Sequence, residues 1–501
     1  MIELSYIDNF IIISYLIFSL IIGLVFSIHK EQNSLDYFLA GKNLKWYMIG
    51  FSIFASSISG GYLIALTGFE ISKSFLTSHF EIFAVMFLLL LSSFFAKRYI
   101  KSNVFTTAEF IGKRFDGNSR IYVAIFQIVV NVLIKIPLIL IAGGFILKQI
   151  LDWDAFTTTL VLVLLCGLYT VVGGLKAVVY TQFIQVVFLL SAMILLVFFG
   201  LHSVGWTDSL MAIVSLSSII YIKPISFPLL PLAGLLLGIP ILSFWYWISD
   251  QSIIQRILGA KTVVDAKKGT YVAILLKVIF ICLITLIGLL TVKFALENKS
   301  DQSYSLIFSN EALPSGIKGV FIVGVFSLVM SSLSSIFNST SSLFTMDLYR
   351  MTYPNASERK LVLLGRLFTT FTALLVILCV PLIKYLNSDN YIYLQNSMAL
   401  LSSPIAALFV LGFFFKKINS RGAIWGLMIG GVLSLFKIVL DVLVNLFSLS
   451  NTFLQWIINI NFLYYAILIF IISIITMTFV SNIRPINVTQ ELKLNKAEVW
   501  K

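Results

Sequence analysis

The sequence predicts an all-α integral membrane protein whose spans fall into two inverted blocks. Three observations carry that reading. Of the 501 residues 59% are hydrophobic and 11% charged, with mean hydropathy +1.00, whereas a soluble domain carries about 25% charge. Apolar runs of roughly 20 residues, long enough to cross a bilayer core of about 30 Å, recur along the whole chain. Two of these runs are interrupted by Gly, Pro or Ser, and the interruptions lie five spans apart.

Window hydropathy gives about thirteen spans, near 8–28, 46–69, 76–96, 121–147, 155–173, 178–201, 228–255, 270–293, 318–346, 361–383, 391–415, 422–447 and 455–481. They make a single transmembrane domain over 1–481, followed by a polar tail at 482–501. The first span has no basic n-region and no small-residue cleavage site, so it reads as retained rather than as a signal peptide. The second contains Ser52, Ser56, Ser57, Ser59, Gly60 and Gly61 in close succession. Between the third and fourth lies a short amphipathic stretch, Thr106 to Phe115, expected on the cytoplasmic surface. The seventh carries Pro228, Pro231, Gly234, Gly238 and Pro240. Gly and Pro interrupt helices, and a break at membrane depth is tolerated only where it faces protein or water. Spans two to six and seven to eleven, the core at 46–415, thus form two blocks that each open on a broken helix. Five is odd, so the blocks point in opposite directions, as in transporters whose broken helices meet around the solute. No residue-level repeat accompanies the pattern, and ordinary Gly-tolerant membrane helices remain the alternative at this point.

The ninth span holds a hydroxyl-rich band, SSLSSIFNSTSS at 331–342, in a stretch without charge from Lys318 to Asp347. An unsatisfied hydroxyl in hydrocarbon costs on the order of 2–7 kcal/mol. Isolated serines can bond back to the preceding turn, but a cluster on adjacent positions suggests a polar cavity or an ion.

The net charge of +13 follows topology. Alternate loops are basic, with Lys97, Arg98, Lys101, Lys113, Arg114 and Arg120, then Lys176, then Arg256, Lys261, Lys267 and Lys268, then Arg350, Arg359 and Lys360, then Lys416, Lys417 and Arg421. The positive-inside rule puts these in the cytoplasm of a multi-pass cell-membrane protein. The N-terminus with Glu3 and Asp8 is then outside and the C-terminus cytoplasmic. Dispersal among short loops argues against nucleic-acid binding. Cys166, Cys282 and Cys379 all lie in spans and form no disulfide framework. An enzyme is not expected: the loops show no nucleophile–base pair, phosphate loop or metal cluster, and the histidines are only His29, His79 and His202. A sensor that keeps the architecture without transport would need a signalling domain larger than this tail.

Ionisable residues inside spans are functional candidates. They include Glu81, Lys135, Asp250, Lys277 and Asp441. Glu81 and Lys277, in opposite blocks, could pair with each other or meet solute hydroxyls; buried charge persists only when paired or hydrogen-bonded. Structural ion pairs or snorkelling are the plain alternative, favoured for Asp441 near its span end. SFWYWISDQSIIQR, 243–256, is the densest aromatic cluster. Aromatic faces either stack on sugars or mark interfaces. Asp250, Gln251 and Arg256 are expected to fix the cytoplasmic end, with Tyr246 a turn or more deeper.

These residues resemble a family. FWYWISDQSIIQRILGAK (244–261), SSLSSIFNSTSSLFTMDLYR (331–350) and VVGGLKAVVYTQFIQ (171–185) look like signature regions of the solute:sodium symporters, above all their sodium–sugar branch, over residues 8 to 481. The resemblance implies the leucine-transporter-type fold, five plus five inverted helices with flanking ones, and alternating access driven by sodium (Na+) across the lipid bilayer. It implies a sodium site of the carbonyls of Ala55, Ile58 and Leu328 and the hydroxyls of Ser331 and Ser332. Sodium is a hard cation that wants about five oxygens, and an unwound helix frees carbonyls. Some members hold a second ion with further serines and an aspartate; Ser334 and Ser335 are present, but the aspartate position reads Gln182, so one sodium per solute is expected. The implied solute positions are Glu81, Tyr246, Lys277, Gln395 and Ser243, with Tyr62 where close bacterial sugar members have glutamine. That set suits a sugar or polyol. Members that carry acidic sugars place a cation on the fourth span, where Lys135 lies, so sialic acid, a monocarboxylate or an amino acid is the competing class. The partner of Lys135 discriminates: paired with Glu81, it is not available to a carboxylate. The protein is expected to work as a monomer.

Overall fold

The computed structural model describes residues 4–26, 33–58, 71–151, 154–204, 233–298, 314–383, 388–447 and 452–483. These residues are helical almost throughout, with an isolated parallel bridge between Leu44 and Ala260. Among the described residues ten helices are long and apolar enough to cross a membrane, and the chain is a multi-pass membrane protein. The difference from the expected count has two sources. The fifth and sixth expected spans join in one helical run, Ala155–Val204, that turns sharply at Gly174 (φ 51°, ψ −144°). A Cβ at Gly174 would collide with the Tyr37 carbonyl oxygen, and positive φ suits glycine. The second and seventh spans are the interrupted ones.

The second span begins as Trp46–Ser57 and stops where Ile58 turns extended (φ −82°, ψ 107°). Ser59, Gly60 and Gly61 lie outside the described residues, as does Tyr62. The described break in the seventh span lies beyond Gly234, Gly238 and Pro240. Pro228 and Pro231 lie outside the described residues, while Gly234, Gly238 and Pro240 sit within helix, in the π-helical turn Gly234–Gly238 and the first turn of Ile239–Phe244. The chain leaves the helix at Asp250 (φ −70°, ψ 128°), after a second π-helical turn, Trp245–Ser249. Asp250 then caps a new helix, Gln251–Leu258, its Oδ1 accepting from the Ser252 amide at 2.8 Å. An interior aspartate N-cap does here what Gly and Pro were expected to do.

Backbone groups released at a buried break need partners. Tyr99 Oη donates to the Ile248 carbonyl. Gln127 Nε2 donates to the Ser249 carbonyl at 3.2 Å, and its Oε1 accepts from the Gln251 amide at 2.9 Å. Gln251 Oε1 in turn accepts from the Thr107 amide at 2.8 Å. The helix Thr107–Arg114 is therefore docked inward rather than laid on a surface, with Phe110, Ile111 and Arg114 buried. Arg114 donates to the carbonyls of Gly412, Phe415 and Ile418. Asp250, Gln251 and Arg256, expected at an aqueous end, are all buried, their polar atoms met inside the protein by Lys135, by the Thr107 amide, and by Ser52, Ser335 and the Ser252 carbonyl.

The centre of the molecule is the helix Ile317–Leu343, in which every residue from Phe321 to Leu343 is buried. Its hydroxyl band faces protein, not lipid. It packs along Ala155–Val204 and against the first helix, Tyr6–Val25. Asp8 Oδ1 accepts from the amides of Gly316 (2.9 Å) and Gly319 (2.7 Å) at its start, a carboxylate on a helix N-terminus. Tyr15 Oη accepts from Ser327 Oγ at 2.7 Å two turns further on. At the periphery, Asp441 pairs with Lys437 one turn away, and Lys437 also donates to the Ile458 carbonyl at 3.1 Å. Asp441 is a structural ion-pair member.

Gln127→Leu keeps the volume but orphans the Ser249 carbonyl and the Gln251 amide. The expected cost is about 1–3 kcal/mol per orphaned group, read as a lower unfolding midpoint in detergent; an unchanged midpoint would mean that the break is held by other contacts.

Candidate functional site

The five positions of the implied sodium site converge where Trp46–Ser57 ends against the serine-rich helix. Two hydroxyls of the short helix bond back along it, Ser56 Oγ to the Ser52 carbonyl (2.6 Å) and Ser57 Oγ to the Phe54 carbonyl (2.8 Å). The carbonyls of Ala55 and Ile58 turn instead to the opposite helix. Ser331 Oγ lies 3.2 Å from the Ala55 oxygen and 2.9 Å from the Leu328 oxygen, and Ser332 Oγ donates to the Ile58 oxygen at 2.7 Å. Three carbonyls and two hydroxyls thus face one another without a formal charge. The two hydroxyl protons can turn away, leaving five oxygens for a hard monovalent cation. No group of three or more His, Cys, Asp or Glu suited to a metal ion occurs among the described residues.

Glu81 and Lys277 are brought together: Nζ donates to the carboxylate at 2.9 Å, with both side chains buried. The Lys277 ammonium also lies over the rings of Trp247 (5.4 Å to centroid), Phe280 (5.7 Å) and Phe54 (5.9 Å), which lowers the cost of burying it. Tyr246 is half-buried, and its hydroxyl reaches the Ser56 carbonyl at 3.5 Å. It therefore spans from the seventh-span break region to the second-span break. Ser243 is buried one turn before it. Gln395 is half-buried on Ser388–Phe414, which packs against both Ile239–Phe244 and the Trp245–Ser249 turn. Tyr62 cannot be set beside them because it lies outside the described residues.

Lys135 is not brought to Glu81. It pairs with Asp250 Oδ2, and its ammonium sits over the rings of Trp245 (5.0 Å) and Tyr246 (5.4 Å). Asp250 Oδ1 meanwhile accepts from Ser252. Lys135 is thus a partner of the helix break. Gln182 lies beside the cage: its Nε2 donates to Ser335 Oγ (2.6 Å) and to the Ser331 carbonyl (2.9 Å), while Oε1 accepts from Ser52 Oγ. Ser334 donates to the same Ser331 carbonyl at 3.1 Å.

Several residues escaped the sequence reading. Gln127 and Tyr99 are uncharged, so a search for ionisable groups passes over them. An amide inside an apolar run, such as Gln127 in IFQIVVN, was the available signal. Arg256, placed at an aqueous end by its charge, is fully buried and bonds Ser52, Ser335 and the Ser252 carbonyl.

The chain matches known proteins over most of its length. The profile of the sodium:solute symporter family matches residues 37–430. Sodium/glucose cotransporter 4 of Danio rerio is 30% identical over 95% of this chain and 78% of its own. Sodium/myo-inositol cotransporter 2 of Bos taurus is 32% identical over 87% and 70%. Among solved structures, a substrate-bound, outward-open Na+-coupled sialic acid symporter superposes with a TM-score of 0.82 at 20% identity, covering 96% of this chain and 98% of that one. Mhp1, a nucleobase-cation-symport-1 family transporter, gives 0.53 at 13% identity, covering 94% and 100%. These structures establish the leucine-transporter-type fold.

Breaking a buried ion pair on one side costs about 3–5 kcal/mol, whereas neutralising both sides costs less. Lys135→Met is therefore expected to lower the unfolding midpoint more than Lys135→Met combined with Asp250→Asn. A double variant at least as unstable as the single one would show that the pair does not act as a unit.

Proposed function

Because the chain belongs to the sodium:solute symporter family, we propose that it is a secondary transporter that couples inward sodium flow to uptake of a neutral sugar or polyol by alternating access. The family and the relatives are transporters, not enzymes. The observation that carries the neutral-solute reading is the pairing of charges: Lys277 faces Glu81 and Lys135 faces Asp250. Neither ammonium stands without a carboxylate, and an acidic solute would have to displace one. A paired carboxylate and ammonium still offer hydroxyl-rich ligands one acceptor and one donor, with Gln395 and Ser243 for further hydrogen bonds and the Tyr246 ring for an apolar sugar face.

In this reading Ala55, Ile58, Leu328, Ser331 and Ser332 hold one sodium ion. A cage without a carboxylate binds weakly, which lets the ion leave on the low-sodium side. Binding would exchange the Ser331 and Ser332 hydrogen bonds to the short helix for ion contacts, so the ion would tie the second-span break to the serine-rich helix. The Gln182 amide nitrogen, directed at the Ser331 carbonyl and Ser335, presents a donor where a second cation would need an acceptor, which supports one sodium per solute. The basic loops support a cytoplasmic C-terminus, and the protein is read as working as a monomer, the core domain being 46–415.

In proteoliposomes sodium-stimulated uptake is expected for a neutral sugar or an inositol and not for sialic acid; uptake of the acid alone would overturn the neutral-solute reading. Ser332→Ala is expected to raise the half-saturating sodium concentration at least about tenfold, the scale of one lost ligand interaction with a charged group. Unchanged sodium dependence would remove Ser332 from the site. The Hill coefficient for sodium is expected near one, and a value approaching two would contradict the single-ion stoichiometry.

A further inference from the structure

Beside the cage, four side chains from four helices close a ring of hydrogen bonds. Arg256 Nε donates to Ser52 Oγ at 3.1 Å. Ser52 Oγ donates to Gln182 Oε1. Gln182 Nε2 donates to Ser335 Oγ at 2.6 Å. Arg256 Nη2 donates to the same Ser335 oxygen at 2.9 Å and completes the circuit. Ser335, accepting from both, has its own proton for the Ser331 carbonyl (2.8 Å) or for Ser56 Oγ (2.9 Å). Ser52, Gln182, Arg256 and Ser335 are all fully buried. One edge of a guanidinium and both ends of one carboxamide are thus bridged by two hydroxyls, while Nη1 of Arg256 donates to the Ser252 carbonyl.

The position of the ring gives it a use. Ser52 precedes Ala55 by about one turn, and Ser335 follows Ser331 by about one turn. The ring therefore lies on one side of the cage. Beyond it, on the same side, the Leu44 amide donates to the Gly259 carbonyl (3.1 Å), the Lys261 amide donates to the Leu44 carbonyl (3.1 Å), and Gln255 Nε2 donates to the Phe38 carbonyl (2.8 Å). These bonds tie the outer ends of the two half-helices, Trp46–Ser57 and Gln251–Leu258, to each other. The ring in turn ties that pair to the two long helices behind it, Ala155–Val204 and Ile317–Leu343. Arg256 carries a permanent charge. The carboxylate nearest it in the chain, Asp250, is already held by Lys135. An ion leaving the cage toward the Leu44–Ala260 end meets this ring and the Arg256 guanidinium, whose Nε and Nη2 are held by neutral hydroxyls.

We propose that Arg256 and Gln182 are positioning residues that shut the cage on the Leu44–Ala260 side, and that the ring must open for sodium to leave by that route. The inference rests on the sodium-cage reading above. Gln182 fixes the Ser331 carbonyl and so the ligand on the same residue. Arg256 fixes the two hydroxyls that hold Gln182 and opposes the passage of a second positive charge. Gln182 is then a working part of a one-ion machine rather than merely a missing ligand.

The test is sodium-22 influx into proteoliposomes of the full-length protein without any solute, alongside solute-driven uptake. Gln182→Leu opens the ring but keeps the charge, Arg256→Gln removes the charge, and Ser52→Ala is a milder cut at one bridge. Solute-independent influx is expected to rise about tenfold in Arg256→Gln and Gln182→Leu, and severalfold in Ser52→Ala. The double variant is expected to leak no more than the leakier single one, since residues in one network are not additive. A merely structural role would lower the unfolding midpoint without a leak in the protein that remains folded. Influx at the wild-type level in both Gln182→Leu and Ser52→Ala overturns the proposal, as do effects that multiply in the double variant. Wild-type protein with no sodium-stimulated uptake of any solute would instead overturn the symport reading, because the leak comparison needs no solute.

Discussion

Two helices stop inside the protein, at Ile58 and at Asp250, and the backbone groups they release must find partners where water does not compete. Much of the polar architecture follows from that demand. At Ile58 the partners are Ser331 and Ser332, so the serine-rich band has to lie opposite the break. At Asp250 they are Tyr99, Gln127 and the Asp250 side chain itself, so two further helices and the inward-docked Thr107–Arg114 segment are drawn in. The same carbonyls that make a break costly make a cation site when several converge. In the proposed reading, the atoms that make the break costly are the ones that would hold the ion.

Charge is distributed in keeping with this. The cage is neutral, while the charged groups nearby are matched: Lys277 with Glu81, Lys135 with Asp250. Each pair also joins distant parts of the chain across the interface between helices. In the proposed reading, a solute held by Lys277 and Glu81 would compete with an existing ion pair and gain only the difference, which suits a ligand that must be released every cycle. The rings of Phe54, Trp247 and Phe280 around Lys277, and of Trp245 and Tyr246 around Lys135, shield both pairs from lipid and water.

What could be read in the sequence was whatever the bilayer imposes by composition. Apolar runs locate the spans, the hydroxyl band marks the central helix, and the serines before Ile58 mark the first break. The break at Asp250 is hidden because Gly and Pro are the obvious interrupters, while Asp250 as an interior cap looks identical in sequence to an aspartate at the membrane edge. Partner choice was also hidden. Lys135 and Asp250 are 115 residues apart, and nothing local in either one names the other. Glu81 and Lys277 are 196 apart, yet their pairing was foreseeable from opposite charge in opposite blocks. Arg256 was misjudged because a lone arginine beside a span usually marks an aqueous end, and only its three hydrogen-bond partners show otherwise.

The brace formed by Asp8 carries a consequence for biogenesis. Its Oδ2 is satisfied within its own helix cap, by the Ser5 amide at 3.0 Å and Ser5 Oγ at 2.6 Å. Its Oδ1 waits for the Gly316 amide, 308 residues later. At translation rates of about 5–20 residues per second, that wait is on the order of 15–60 seconds. During that interval Oδ1 lacks its two amide partners on the serine-rich helix. The arrival of the serine-rich helix supplies both amides, so the docking of the first helix on the centre of the protein is a late event in synthesis.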